Sequence, residues 1–253
     1  ADHHGSYVAH MRTLGTRTAE LHLAFARAQG DPAFAPEPAT AADVAAWVDG
    51  LHRYAADVLN RLAKRRQVLP EAVSGPAAEI LSRRDELLQR ILAHANDSPA
   101  GMKSRLHGDY HLGQVLVVGN DFIVTDFEGE PARSMDERRG KHSPLKDVAG
   151  MLRSFDYARH SAVQRHLAKM PHARATAEDL AQHWRAEAQA AFLAGYDGAA
   201  GPAGLATGAA ESHGLLEFFV LEKVTYELAY EMDNRPDWLG IPLLGLLEIL
   251  SRR

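Results

Sequence analysis

The sequence predicts a mainly α chain with one embedded β-hairpin. Apolar residues recur at helical spacing through most of residues 1–104 and 144–253. Between those stretches lie two short β-branched runs, VLVV at 115–118 and FIVT at 122–125, separated only by a Gly-Asn-Asp turn. With 46% hydrophobic and 24% charged residues among 253, the chain can bury the core of one large domain or two small ones.

The elements follow in order. Residues 7–28 carry Leu14, Leu21, Leu23 and Phe25 in a helical pattern. Gly30, Pro32, Pro36 and Pro38 then break it. Thr40 suits the N-cap of a helix over 41–66, and a third helix is expected over 76–95. After the hairpin, helices are expected over 144–160 and 175–196. A Gly/Ala/Pro-rich linker at 197–210 precedes helices over 216–234 and 242–253. There is no internal repeat.

The composition excludes several classes of function. A net charge of −5 gives no electrostatic reason to expect nucleic acid or an anionic membrane. No apolar run is long enough to span a bilayer, and the first fifteen residues lack a signal peptide's apolar stretch. Zero cysteines rule out disulfides and thiolate metal sites, which suits a cytoplasmic protein. The fourteen histidines include no His-Glu-x-x-His pair. His22, His52, His94, His160, His166 and His183 read as surface or helix-face residues, and the adjacent His3 and His4 carry no assigned role. Walker A, a Gly-rich loop after a strand and a Val-Ala-Ile-Lys-like strand are all missing from the sequence.

Polar chemistry concentrates at 105–131. His107-Gly108-Asp109 opens a loop, Gln114 lies five residues past Asp109, and Asp126 ends the second β run. Protein-kinase-like enzymes use this layout. A loop Asp orients the acceptor hydroxyl and takes its proton, while an amide residue and an Asp after the hairpin hold Mg²⁺ on the phosphates. Phosphoryl transfer needs hard oxygen donors and a positioned carboxylate, not a covalent nucleophile. Taken singly, His-Gly-Asp is a common turn and Asp-Phe-Glu-Gly a strand end. In this order and spacing they read as phosphoryl-transfer machinery. Glu128 and Glu130 either bias the metal site or pair with Arg138 and Arg139, and for Glu130 the structural role is preferred.

Three segments, HGDYHLGQVL, DFEGEPARSMDERRGKHSPLKDVAGMLRSFDYA and YELAYEMDNRPDWLGIPL, resemble bacterial maltokinases. These are aminoglycoside-phosphotransferase-like kinases, some of them fused to trehalose synthase. The resemblance implies the carboxy-terminal lobe of a protein-kinase-like fold and ATP-dependent phosphorylation of maltose to maltose 1-phosphate. It implies Asp109 as catalytic base and His107 as the residue that orders the loop. Gln114 and Asp126 become the Mg²⁺ and ATP-phosphate ligands, with Glu128 a further metal candidate, and Lys223, Tyr226, Glu227 and Tyr230 contact the sugar. The expected partners are maltose, an amino-terminal nucleotide lobe that the 253 residues do not contain, and trehalose synthase, fused or associated. Without that lobe the isolated chain is expected to be inactive. A related sugar or aminosugar kinase is the nearest alternative, and a non-catalytic binding module keeping the kinase-like lobe is another.

Residues 223, 226, 227 and 230 follow i, i+3, i+4, i+7 and so share one helical face, while Leu221, Val224, Leu228 and Met232 project to the other. From pattern alone a sugar wall and an ordinary amphipathic helix fit equally, and the resemblance favours the sugar. Asn234, Arg235 and Trp238 read as capping and packing.

Overall fold

The computed structural model describes residues 3–27, 30–99, 101–131, 133–170, 172, 174–201 and 213–252. In chain order these form α1 (His3–Ala26), β1 (Glu37–Pro38), α2 (Ala41–Arg65), α3 (Glu71–Ser82), α4 (Arg84–Ala93), β2 (Met102–Lys103), β3 (Val115–Val118), β4 (Asp121–Val124), α5 (Met135–Arg139), α6 (Leu145–Leu167), α7 (Arg174–Ala200), α8 (His213–Asn234) and α9 (Gly240–Ser251). The chain divides into two compact units, one of Ala1–Ala39 with Ala100–Leu216, the other of Thr40–Pro99 with Glu217–Arg253. Among the described residues no helix is long and apolar enough to cross a membrane.

In the first unit α1 lies against α7, and small residues let the two backbones touch. A Cβ added to Gly15 would sit 1.9 Å from the Phe192 carbonyl oxygen, and one added to Gly195 would sit 2.0 Å from that of Arg12. Leu14, Phe155, Phe192 and Tyr196 bury around this crossing. Backbone cannot yield as a side-chain end can. Gly15→Ala should therefore destabilise the fold by about 1–3 kcal/mol or more, read as a lowered thermal midpoint, while Gly30→Ala, where a Cβ meets nothing within 4 Å, should leave it unchanged.

The expected hairpin forms. Val115 pairs with Val124 and Val118 with Asp121 in an antiparallel ladder. Gly119 (φ +62°) and Asn120 make the two-residue turn, and the left-handed φ at the first central position alone is that of a type II′ turn. Arg17 on α1 anchors the hairpin by donating to both Asp121 carboxylate oxygens at 2.7 and 3.0 Å.

In the second unit Thr40 caps α2 as expected. Its hydroxyl accepts the Asp43 N–H, while the Asp43 carboxylate accepts the Thr40 N–H, a reciprocal capping box. Val44, Val48, Leu51, Val58 and Leu62 on α2, Leu87 and Ile91 on α4, and Phe218, Phe219, Val224 and Leu228 on α8 are all buried. The Trp47 and Phe219 rings lie 5.6 Å apart.

Four expectations need correction. The single helix expected over 76–95 is two helices, α3 and α4. Pro76 sits inside α3 rather than at its start, and Arg83 (φ −101°, ψ 18°) breaks the run. Residues 1–104 also hold an antiparallel two-residue ladder, β1 with β2, too short to leave an alternating pattern. The short α5, capped by the Ser134–Glu137 box, lies in a stretch where no helix was expected. The linker expected at 197–210 is helical at its start, since α7 continues through Ala200, and 202–210 lie outside the described residues.

Candidate active site

The candidate site in the first unit is a loop held open by helix α6. The loop turns at Gly108, whose φ of +84° disfavours a side chain and whose Cα side faces the Gly129 backbone, 3.3 Å from where a Cβ would stand. His107 is buried. Its Nδ1 accepts the Asp109 N–H (3.3 Å) and its Nε2 donates to the Thr125 carbonyl (2.8 Å). The first bond leaves the ring hydrogen on Nε2, where the second uses it. The ring stands 5.0 Å from that of Phe127 and 5.2 Å from that of Tyr110. His107 thus ties the start of the loop to Thr125, between the end of β4 and Asp126.

Behind the loop, Asp147 on α6 accepts the N–H of His107 (2.8 Å) and of Gly108 (3.0 Å). His22 Nε2 lies 3.1 Å from the same carboxylate, and His22 Nδ1 meets the Tyr196 hydroxyl at 3.0 Å. Burial alone would raise the Asp147 carboxyl, but the hydrogen bond and charge of His22 and the Gly108 N–H outweigh it and hold the carboxyl below the usual range. Gly150 and Ser154 continue the same helical face. A Cβ on Gly150 would stand 2.7 Å from the Tyr110 carbonyl oxygen, and Ser154 Oγ accepts the Leu112 N–H at 2.8 Å. Positions 147, 150 and 154 are i, i+3, i+7, so one stripe of α6 seats the whole loop. The Tyr110 hydroxyl meets Thr18 on α1 at 2.8 Å, and burial pushes its phenol up.

Sequence reasoning missed this support. In the sequence Asp147 stands only as one position of a longer motif and His22 reads as a surface or helix-face residue, yet His22 is fully buried and His94 nearly so, the latter bonded to Asp97 at 2.7 Å. The legible signal was an acid flanked by Leu145, Val148 and Met151, on a stretch too apolar for a solvated helix.

At the front, Asp109 keeps its side chain 22% exposed, with His111 Nε2 3.8 Å from its carboxylate. Gln114 and Asp126 come together, Gln114 Nε2 donating to Asp126 Oδ2 at 2.8 Å. The Gln114 carbonyl accepts the Thr125 N–H at 2.9 Å, which fixes the register of the two side chains. Asp126 is exposed and adopts φ +65°, the left-handed region that a non-glycine residue rarely occupies. Glu128 is also exposed, and its carbonyl accepts from Arg138. Glu130 is 3% exposed and pairs with Arg133 at 2.6 Å. The structural role expected for Glu130 fits, but the pairing shown is with Arg133, whose N–H also donates to the Glu130 carbonyl at 3.0 Å, and not with Arg138 or Arg139. Leu116, Val118 and Ile123 share one exposed apolar face of the hairpin.

Lys223, Tyr226, Glu227 and Tyr230 lie in the second unit, on α8. The Lys223 ammonium stands 5.0 Å from the Tyr226 ring, and the Tyr226 and Tyr230 rings stack at 6.3 Å and 20°. Arg235 continues the tier over Tyr230 at 5.3 Å and Trp238 at 5.4 Å while binding Glu231. Leu221, Val224, Leu228 and Met232 are buried as expected, and so is Glu227, which was expected on the open face.

The class of protein follows from comparison with known proteins. No family model matches the chain. It is 29% identical over 250 residues to a glucosamine kinase of Streptacidiphilus jiangxiensis, covering 95% of this chain and 49% of that protein. A glucosamine kinase of Mycolicibacterium smegmatis is 34% identical over 142 residues, 56% of this chain and 31% of that protein. A solved glucosamine kinase in complex with glucosamine, ADP and inorganic phosphate superposes with TM-score 0.72 at 27% identity, over 95% of this chain and 51% of that one. A second glucosamine kinase structure gives TM-score 0.74 at 25% identity.

The chain is therefore kin to sugar kinases and spans about half the length of these relatives. They are named for glucosamine and not for maltose, so the kinship expected from the sequence stands at the level of sugar kinases, without its maltose specificity.

Proposed function

We propose that the chain carries the acceptor side of an ATP-dependent aminosugar kinase, with a glucosamine-like sugar as substrate. The observation that carries it is a seated loop: Asp147 binds the N–H groups of His107 and Gly108, His107 binds that of Asp109 and the carbonyl of Thr125, and the next residue, Asp126, pairs with Gln114. The relatives support the aminosugar over maltose.

In this reading Asp109 accepts a hydrogen bond from the sugar hydroxyl, aims its lone pair at the γ-phosphorus and takes the proton late in the transfer. Restricted motion of the loop is what Asp147 and His107 contribute, since misplacement of the acceptor is costly. Asp126 and Gln114 suit Mg²⁺: both side chains carry an oxygen, they already touch, and this ion commonly uses one or two carboxylates together with phosphates and water. Bound there, Mg²⁺ would neutralise charge on the phosphates. Gln114 presents its nitrogen to Asp126, so ligation requires its amide to turn over. The exposed apolar face of Leu116, Val118 and Ile123 offers a floor for a nucleobase.

Tyr226, Tyr230 and Lys223 supply flat apolar surface and donors, and Glu227 a buried carboxylate suited to an ammonium or hydroxyl. Tyr226→Ala and Glu227→Ala should raise KM for the sugar by about tenfold or more and leave that for ATP nearly unchanged. Equal effects on both would make α8 a packing element. The function itself is tested by ADP release from the full-length protein with glucosamine, N-acetylglucosamine, glucose and maltose. Glucosamine should give the highest kcat/KM. Preference for maltose would return the specificity to the maltokinase reading, and no sugar-dependent release would favour a non-catalytic module.

A further inference from the structure

A basic cleft in the first unit lies outside the groups assigned above. Pro32, Ala33, Phe34, Glu37, Lys103, Arg105, Arg139 and Lys141 line a volume of about 650 Å³. Four basic residues and one acidic residue line it, in a chain whose net charge is −5. The arrangement is built by backbone pairing. The β1–β2 ladder sets Glu37 opposite Lys103, and reciprocal N–H to carbonyl bonds between Ser104 and His142 (3.0 and 2.9 Å) hold the 103–105 strand beside 139–142.

The side chains are fixed as well. Lys141 Nζ bonds the Glu37 carboxylate and the Pro32 carbonyl, and Lys103 Nζ lies 3.8 Å from Glu37. Glu37 thus bridges the two lysines. Arg105 donates to the Arg139 carbonyl, with its guanidinium 5.2 Å from the Phe34 ring. Among the described residues no carboxylate pairs with Arg105 or Arg139. The Arg105 guanidinium and the two lysine ammonium groups, with Arg139 among the lining residues, make a cationic site suited to a doubly charged anion, and guanidinium geometry matches phosphate oxygens. The volume is that of a small-molecule site, and the exposed Phe34 ring with Pro32 and Ala33 provides an apolar wall for a carbon skeleton.

We propose that this cleft binds the phosphoryl group of a small phosphate ester, with the ester's carbon body against Phe34. The site is independent of the catalytic loop's role, although Arg105 lies two residues before His107, so occupancy can bear on the loop.

Calorimetry on the full-length protein at fixed ionic strength tests it with inorganic phosphate and with a hexose 6-phosphate. Both should bind saturably against a chloride background, the ester more tightly. Arg139→Gln, on an exposed helix end, should weaken the ester by about tenfold or more with an unchanged thermal midpoint. Arg105→Lys, which keeps the charge and removes the fork, should weaken it too, whereas Asp109→Asn should not. Equal affinity for the two probes would keep the phosphoryl site and assign it to the free anion. Failure of both probes to saturate, indifference to Arg139→Gln, loss of binding in Asp109→Asn, or preference for a hexaglutamate peptide over both phosphates would overturn the proposal. Binding that survives in a protein without kinase turnover would separate this site's fate from that of the proposed function.

Discussion

Asp109→Asn in the full-length protein should fold normally and lose about 10²–10⁴-fold in turnover, the range over which a positioned base contributes. The amide keeps the size and one hydrogen-bond acceptor of the carboxylate, and the Asp109 N–H bond to His107 belongs to the backbone, so the loop should be undisturbed. What disappears is the proton acceptor and its charge. KM for the sugar should move far less than kcat. Near-normal turnover in a folded variant would remove Asp109 from the chemistry.

Asp147→Ala should produce the largest loss of stability in the molecule. Its carboxylate accepts two loop N–H groups and meets His22, all in buried surroundings. Removing one partner leaves the others without an acceptor, at a cost of about 3–5 kcal/mol. The pH dependence has a definite sign. The folded carboxyl titrates below its unfolded value, so its contribution is fully present above that value and drains away as pH falls through the lower folded one. Wild type should therefore lose stability more steeply than Asp147→Asn below about pH 4. Because Asp147 is buried and reaches the loop only through the backbone N–H groups of His107 and Gly108, Asp147→Asn should lower kcat at temperatures where it is folded and spare both KM values. Proportionate loss of active protein alone would reduce Asp147 to a structural residue.

The parts of this chain legible in the sequence were those with local causes. The Thr40 cap, the hairpin and the apolar face of α8 each follow from neighbours within a few residues, although Asp121, read as part of the turn, belongs to the ladder. Gln114 and Asp126 could be paired in advance because the hairpin between them fixes their register. The support of the loop was not legible, since His22, Asp147 and Tyr196 meet only after α1, α6 and α7 have packed. Buried polar residues give no periodic signal of their own, and their meaning depends on partners more than a hundred residues away. The α3–α4 break was missed for a different reason: Pro76 favoured a helix start there, while the chain had already entered the helix at Glu71. The sugar identity was the hardest part, because motifs shared by a superfamily carry the transfer chemistry and not the acceptor.

The pairing of Gln114 with Asp126 as the metal-bearing end of a phosphoryl-transfer site is the central claim, and Mn²⁺ in place of Mg²⁺ tests it most directly. Water-proton relaxation should report Mn²⁺ bound to the full-length protein in the presence of ADP, with affinity reduced about tenfold or more in Asp126→Ala and reduced also in Gln114→Ala. Unaltered Mn²⁺–ADP binding in a folded Asp126→Ala protein would contradict the account.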